Sequence, residues 1–115
     1  MEFFSSGGVR IAYIDKMPEA GAGDPVVLLH GFASTHRVNW IDTSWVSTLN
    51  RAGYRVIALD HRGHGQSDRL YEPEAYDPAA MAKDVIALLD HLHLVKADLI
   101  GYSMGARIAA MAAFH

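Results

Sequence analysis

The chain has 115 residues, a formal net charge of -3 and no cysteine, with half of its residues hydrophobic and a fifth charged. That length holds at most one domain, and the composition fits a globular chain rather than a disordered one. It excludes a disulfide framework, a thiol nucleophile and a zinc-thiolate site; nothing resembles the basic, aromatic-laced stripe of a nucleic-acid binder, and no apolar run approaches the ~18 residues of a membrane span.

The first eight residues, Met1 to Gly8, lack the positive start and long apolar run of a signal peptide, so a cytoplasmic setting is expected. Glu2 to Phe4 and Val9 to Ile14 read as strands, with the Gly7-Gly8 pair as the hairpin turn between them. Glu19 to Pro25 is a loop, and Val26 to Leu29 a wholly apolar strand of the kind covered on both faces. Ser44 to Arg51 forms a short helix expected to bury Trp45, Val46 and Leu49, with Gly53 placed to end it. Arg55 to Leu59 is the next buried strand. A helix then opens at Asp77-Pro78, an N-cap acid followed by proline in the first turn, and carries a stripe of Ala82, Val85, Ile86, Leu89 and Leu92. Ala97 to Ile100 is another strand and Ala106 to Phe114 a small-residue helix. Apolar strands alternating with helices predict an α/β fold with a mostly parallel sheet and right-handed crossovers.

Between that last strand and helix lies Gly101-Tyr102-Ser103-Met104-Gly105, a G-x-S-x-G run in the strand-turn-helix setting that gives it meaning. A sharp turn there lifts the Ser103 hydroxyl above the sheet edge. Side chains at 101 and 105 would collide with neighbouring elements, which calls for glycine at both. The helix that follows directs its free N–H groups and positive dipole end at the site, where negative charge develops during attack on a carbonyl.

Two other segments extend the pattern. Leu28 to Thr35 (LLHGFAST) follows the third strand and Ala58 to Asp68 (ALDHRGHGQSD) the fourth. With GYSMGARIA after the fifth, the three segments resemble the α/β-hydrolase family in its own order, over nearly the whole chain, so that residues 1–115 read as the N-terminal part of one such domain. The resemblance implies Ser103 as nucleophile, the backbone N–H groups of Phe32 and Met104 as oxyanion hole, and His30, Gly31, Gly101 and Gly105 as supporting residues. It implies a small ester-like substrate and no cofactor or metal. Serine at 103 sets the chain apart from dehalogenases and epoxide hydrolases, which resemble this fold but place aspartate there. The Phe32 side chain is left open between pocket lining and core.

Seven histidines invite other readings. His61 and His64 flank Gly63 in a turn assigned to structure, with Asp60 and Arg62 tying that loop down through hydrogen bonds or an ion pair. His30 is read as orienting the oxyanion segment. His91 and His93 do not share a helix face and read as solvated, and His36 lies in a polar loop. No set makes a metal site, and Gly63-x-Gly65 lacks the continuation that a phosphate loop needs. Met81, Met104 and Met111 read as core or pocket filler.

A serine hydroxyl needs a base, and the base an orienting acid. In the family that order is serine, acid, histidine. Past Ser103 the sequence has no Asp or Glu and one histidine, His115, which at 1.5 Å per helical residue lies about 15 Å away and is not the base. Acid and histidine are therefore expected from a C-terminal companion segment. Ala97 to Ile100 would otherwise be a bare edge strand that invites self-association. The alternative is a catalytically inactive fragment that binds a ligand or partner through the same cleft.

Overall fold

The computed structural model describes residues 1–114; His115, set aside above as a base, lies outside them. Five strands form one sheet: β1 (Glu2–Ser6), β2 (Val9–Lys16), β3 (Pro25–Leu29), β4 (Arg55–Leu59) and β5 (Asp98–Gly101), in spatial order β1-β2-β4-β3-β5. The three apolar strands pair in parallel, β3 with both β4 and β5. The N-terminal hairpin closes the other side, β2 running antiparallel to β4 with Tyr13 opposite Leu59. Gly7 and Gly8 make its turn with φ of 55° and 87°, a backbone that glycine adopts without cost.

Alternation along β3 and β4 divides the core by face. Val27, Leu29, Ile57 and Leu59 pack with Met81, Val85, Leu88 and Ile108 beneath α2 (Pro78–His91) and α3 (Met104–Ala113). Val26, Leu28, Val56 and Ala58 pack on the opposite face with Trp40 and with Val46 of α1 (Trp45–Arg51). The inward side of α2 is Met81, Asp84, Val85 and Leu88, spaced i, i+3, i+4, i+7; the expected stripe positions Ile86, Leu89 and Leu92 are only half-buried. Asp77 caps this helix as expected, accepting from the Ala79 N–H at 3.1 Å.

Two expected core residues lie outside. Trp45 is 46% exposed, because Trp40 in the wide turn Arg37–Ile41 takes the buried place and Trp45 meets its edge at 6.0 Å. Met111 is on the open side of α3. Met81 does join the core, and Met104 packs half-buried against it.

The chain passes from β3 to β4 on one side, then crosses back to β5 on the other side of β3. The connections leaving β3 and β5 diverge, which opens a crevice at the carboxyl ends of these two strands. Leu29 and Gly101 are in register, so both strands end at the same level and the two turns that follow stand side by side.

Candidate active site

Ser103 is the residue between β5 and α3. Its backbone has φ 55° and ψ -115°, a conformation that costs a non-glycine residue about 1–3 kcal/mol, and the residue is exposed. Three hydrogen bonds hold the turn: Tyr102 N–H to Leu29 O (3.0 Å), Gly105 N–H to Tyr102 O (2.9 Å) and Ala106 N–H to Ser103 O (3.0 Å). The glycines are sterically required. A Cβ on Gly101 would strike the Gly105 carbonyl, and one on Gly105 would strike the Leu29 and His30 carbonyls. The Ser103 hydroxyl makes no capping hydrogen bond to the helix it precedes, so capping is not what the serine is there for.

The neighbouring turn leaves β3 at His30. A Cβ on Gly31 would meet the Tyr102 ring at 3.0 Å, which places this segment against the elbow. Its amides are disposed in a definite way. Gly31 N–H donates to Asn39 Oδ1 (2.8 Å) and Ala33 N–H to His64 Nε2 (3.1 Å). Among the described residues, the Phe32 N–H between them and the Met104 N–H at the start of α3 have no partner. The Phe32 side chain is 75% exposed, which removes the core alternative.

The histidines around this turn serve the backbone. His30 Nε2 accepts from the His61 N–H (3.0 Å), so Nδ1 carries the proton and donates to Gly31 O (2.7 Å). Burial holds His30 neutral, lowering its pKa to about 4 despite that bond and the nearby Asp60 carboxylate. His61 is fully buried with both ring nitrogens unpartnered, and burial lowers it to about 3, helped by the neighbouring His30 and His64. His36 is also buried, contrary to the polar-loop reading, and its N–H and Nδ1–H both donate to Asp60 Oδ1 (2.9 and 2.8 Å). Burial alone would raise the Asp60 carboxyl; the bonds from His36 and from the Gln66 N–H outweigh it and hold it below the usual range. Among the described residues no three His, Cys, Asp or Glu side chains gather as a metal ion would need.

The loop after β4 is tied down on two sides. Asp60 anchors it to the His36 turn, and Ser67 Oγ donates to Asp60 O while accepting from the Ala12 N–H of β2. Arg62 forms a two-pronged ion pair with Asp84 of α2 (both 2.8 Å) and donates to Ala75 O; Asp84 also accepts from the buried Ser6 hydroxyl at 2.6 Å. Asn39 and Asp84 were missed in the sequence, and His64 was given a structural role without a partner. A signal for Asp84 exists, since an acid at i+3 inside an apolar i, i+3, i+4, i+7 stripe faces inward. Nothing in the local sequence marks Asn39. Beside Tyr102, a cavity of about 310 Å³ is lined by Asn39, Trp40, Thr43 and Trp45.

A strained serine turn thus stands at the carboxyl edge of the parallel strands, next to a loop that offers an amide unpartnered among the described residues. The family model for the alpha/beta hydrolase fold matches residues 24–114, and the chain belongs to that family. It is 41% identical over 91 residues to the AB hydrolase superfamily protein YisY of Bacillus subtilis (strain 168), covering 79% of this chain and 32% of that protein. It is 36% identical over 105 residues to epoxide hydrolase B of Mycobacterium tuberculosis, covering 89% of this chain and 28% of the relative. The solved esterase of Exiguobacterium antarcticum superposes with a TM-score of 0.85 at 32% identity, over 98% of this chain and 39% of its own. The chain thus spans about a third of the length of these relatives. Among the described residues no helix is long and apolar enough to cross a membrane.

Proposed function

We propose that the protein is a serine hydrolase acting on small carboxylic ester-like substrates through an acyl-enzyme. Ser103 Oγ attacks the carbonyl carbon as a base takes its proton, and the Phe32 and Met104 N–H groups receive the developing oxyanion. The alcohol leaves carrying that proton, and water then hydrolyses the acyl-serine to release the acid. The observation that carries this reading is the strained, uncapped Ser103 beside two amides unpartnered among the described residues. Two donors set in advance are worth several kcal/mol in such a step, since losing one typically costs about 3 kcal/mol. Serine rather than aspartate at this position favours ester over epoxide chemistry, although epoxide hydrolases are among the similar proteins.

His30 and His64 have both ring nitrogens engaged with other groups, so neither is free to take the Ser103 proton. Base and acid come, in this reading, from a companion segment beyond these 115 residues. The open side of β5 and the groove of about 530 Å³ beside it, lined by Ile86, Leu89, Val95, Leu99 and Ala109 among others, support docking of such a segment. Self-association through the same edge is the alternative, which sedimentation of the isolated 115 residues separates. Without the base, turnover by these residues alone falls by about six orders of magnitude, as in a serine triad stripped of one member.

The test is hydrolysis of p-nitrophenyl acetate by the complete polypeptide that carries this sequence, with and without Ser103→Ala. Turnover lost in the variant supports the reading, and equal turnover in the two overturns it.

A further inference from the structure

Gly31, Phe32 and Ala33 present three successive N–H groups, and only the middle one is unpartnered among the described residues. The flanking two are taken by side chains from elsewhere: Asn39 Oδ1, eight residues on, and His64 Nε2, thirty-one residues on in the loop after β4. Ala33 needs its brace. Its φ of 58° is a left-handed backbone that costs an L-residue about 1–2 kcal/mol, so the turn would relax without a compensating bond.

The His64 ring is held for this task. Because an amide N–H can only donate, Nε2 must carry the lone pair, and Nδ1–H donates to Arg62 O at 3.0 Å. Arg62 is locked in turn to Asp84 on α2. The ring also meets Phe32 edge-on at 5.9 Å and His30 at 5.2 Å, so it is fixed from several sides. A continuous line of contacts runs from the helix beneath the sheet to Ala33 beside the elbow.

We propose that Asn39 and His64 are positioning residues for the Phe32 amide: by engaging the N–H groups on either side, they hold the turn so that Phe32 N–H is the single free donor it offers to Ser103. This rests on the reading of Ser103 as nucleophile and Phe32 N–H as oxyanion donor. Neither side chain touches the substrate. Each acts through the backbone it holds, so its loss slows the chemical step and leaves ground-state binding largely alone.

The experiment compares His64→Leu, His64→Gln, Asn39→Ala and Ser103→Ala in the complete polypeptide. It reads p-nitrophenyl acetate turnover together with amide exchange at Gly31 and Ala33, the two amides that Asn39 and His64 engage. His64→Leu and Asn39→Ala are expected to lower kcat by about ten- to a hundredfold with KM within a factor of about two, a partial loss of a donor whose complete loss costs more. His64→Gln, whose Oε1 can accept the Ala33 N–H, is expected to recover much of kcat and to slow Ala33 exchange again. If His64→Leu does not fold, Asn39→Ala and His64→Gln carry the same comparison. Wild-type kcat in Asn39→Ala and in the foldable His64 variants, alongside faster exchange at the freed amides, overturns the proposal, because the braces would then be structural only. If Ser103→Ala keeps full turnover, the hydrolase reading fails by itself. Amide exchange then decides the brace alone: unchanged exchange at Ala33 in His64→Leu and at Gly31 in Asn39→Ala overturns it, and faster exchange at these amides upholds the hold on the turn.

Discussion

The two turns that meet at the carboxyl ends of β3 and β5 are built by opposite means. The elbow at 101–105 is shaped by what is missing: two glycines whose absent Cβ atoms leave room for the backbone of β3 and α3. The turn at 30–36 is shaped by what is supplied from outside it, namely Asn39, His64 and Asp60. One conformation is enforced by hard repulsion and admits no substitute. The other is a sum of hydrogen bonds, each worth about 1 kcal/mol net, and yields gradually as they are removed. The two turns nonetheless touch, Gly31 lying against Tyr102 and Gly105 against the His30 carbonyl.

The sharpest way to break the comparison is Gly105→Ala. The added methyl would have to displace the backbone of β3, the central strand of the parallel triplet, which nothing can accommodate. A loss of more than about 4 kcal/mol is expected, at the extreme of single substitutions, seen as a collapse of the urea midpoint or as failure to fold. A stability within about 1 kcal/mol of the wild type, taken as the urea midpoint multiplied by m, would show that the elbow glycine is a preference rather than a requirement.

Next in size is Asp84→Ala, which attacks the supplied turn from its far end. It leaves the Arg62 guanidinium without its carboxylate and the buried Ser6 hydroxyl without an acceptor. Breaking one side of a buried ion pair costs about 3 kcal/mol or more. The comparison predicts a further signature: amide exchange speeds up at Ala33, because Arg62 carries His64, while the bonds of the elbow keep their protection. Equal loosening of both turns would mean that they are one cooperative unit.

That contrast also explains what the sequence makes legible. The five strands, the Asp77-Pro78 helix start and the elbow all read directly from it, because alternation, capping and paired glycines are local patterns. Family membership reads equally well from three segments in order. Trp45 was expected inside and Trp40 not considered, because the choice between two tryptophans five apart is made by a wide turn that no periodicity signals. His36 looked polar and is buried, because its partner Asp60 comes from another strand's loop. The role of His64 was invisible for the same reason; Asn39, only eight residues from Gly31, was invisible because a loop contact has no periodicity to read. Bonds across 31 and 24 residues leave no spacing to recognise.

The last comparison concerns acid, and it sets the buried histidines under the supplied turn against an elbow that contains neither histidine nor carboxylate. Burial lowers His30 to about 4 and His61 to about 3, against an ordinary 6.5. The unfolded chain therefore takes up protons that the folded one refuses, and stability falls as pH drops from about 6.5 towards those folded values. Integrated to pH 5, this is about 2 kcal/mol per group relative to neutrality. Asp60 faces the same cluster with a lowered pKa, so its contribution is held above the ordinary carboxylate range and disappears only in stronger acid. The two windows are separable. His61→Phe removes a ring whose nitrogens bond nothing and keeps the His61 main-chain N–H that His30 accepts. Urea midpoints between pH 7 and pH 5 should then fall about half as far as in the wild type, with little change at pH 7. An undiminished acid slope in His61→Phe would show that the His61 ring contributes none of the acid sensitivity.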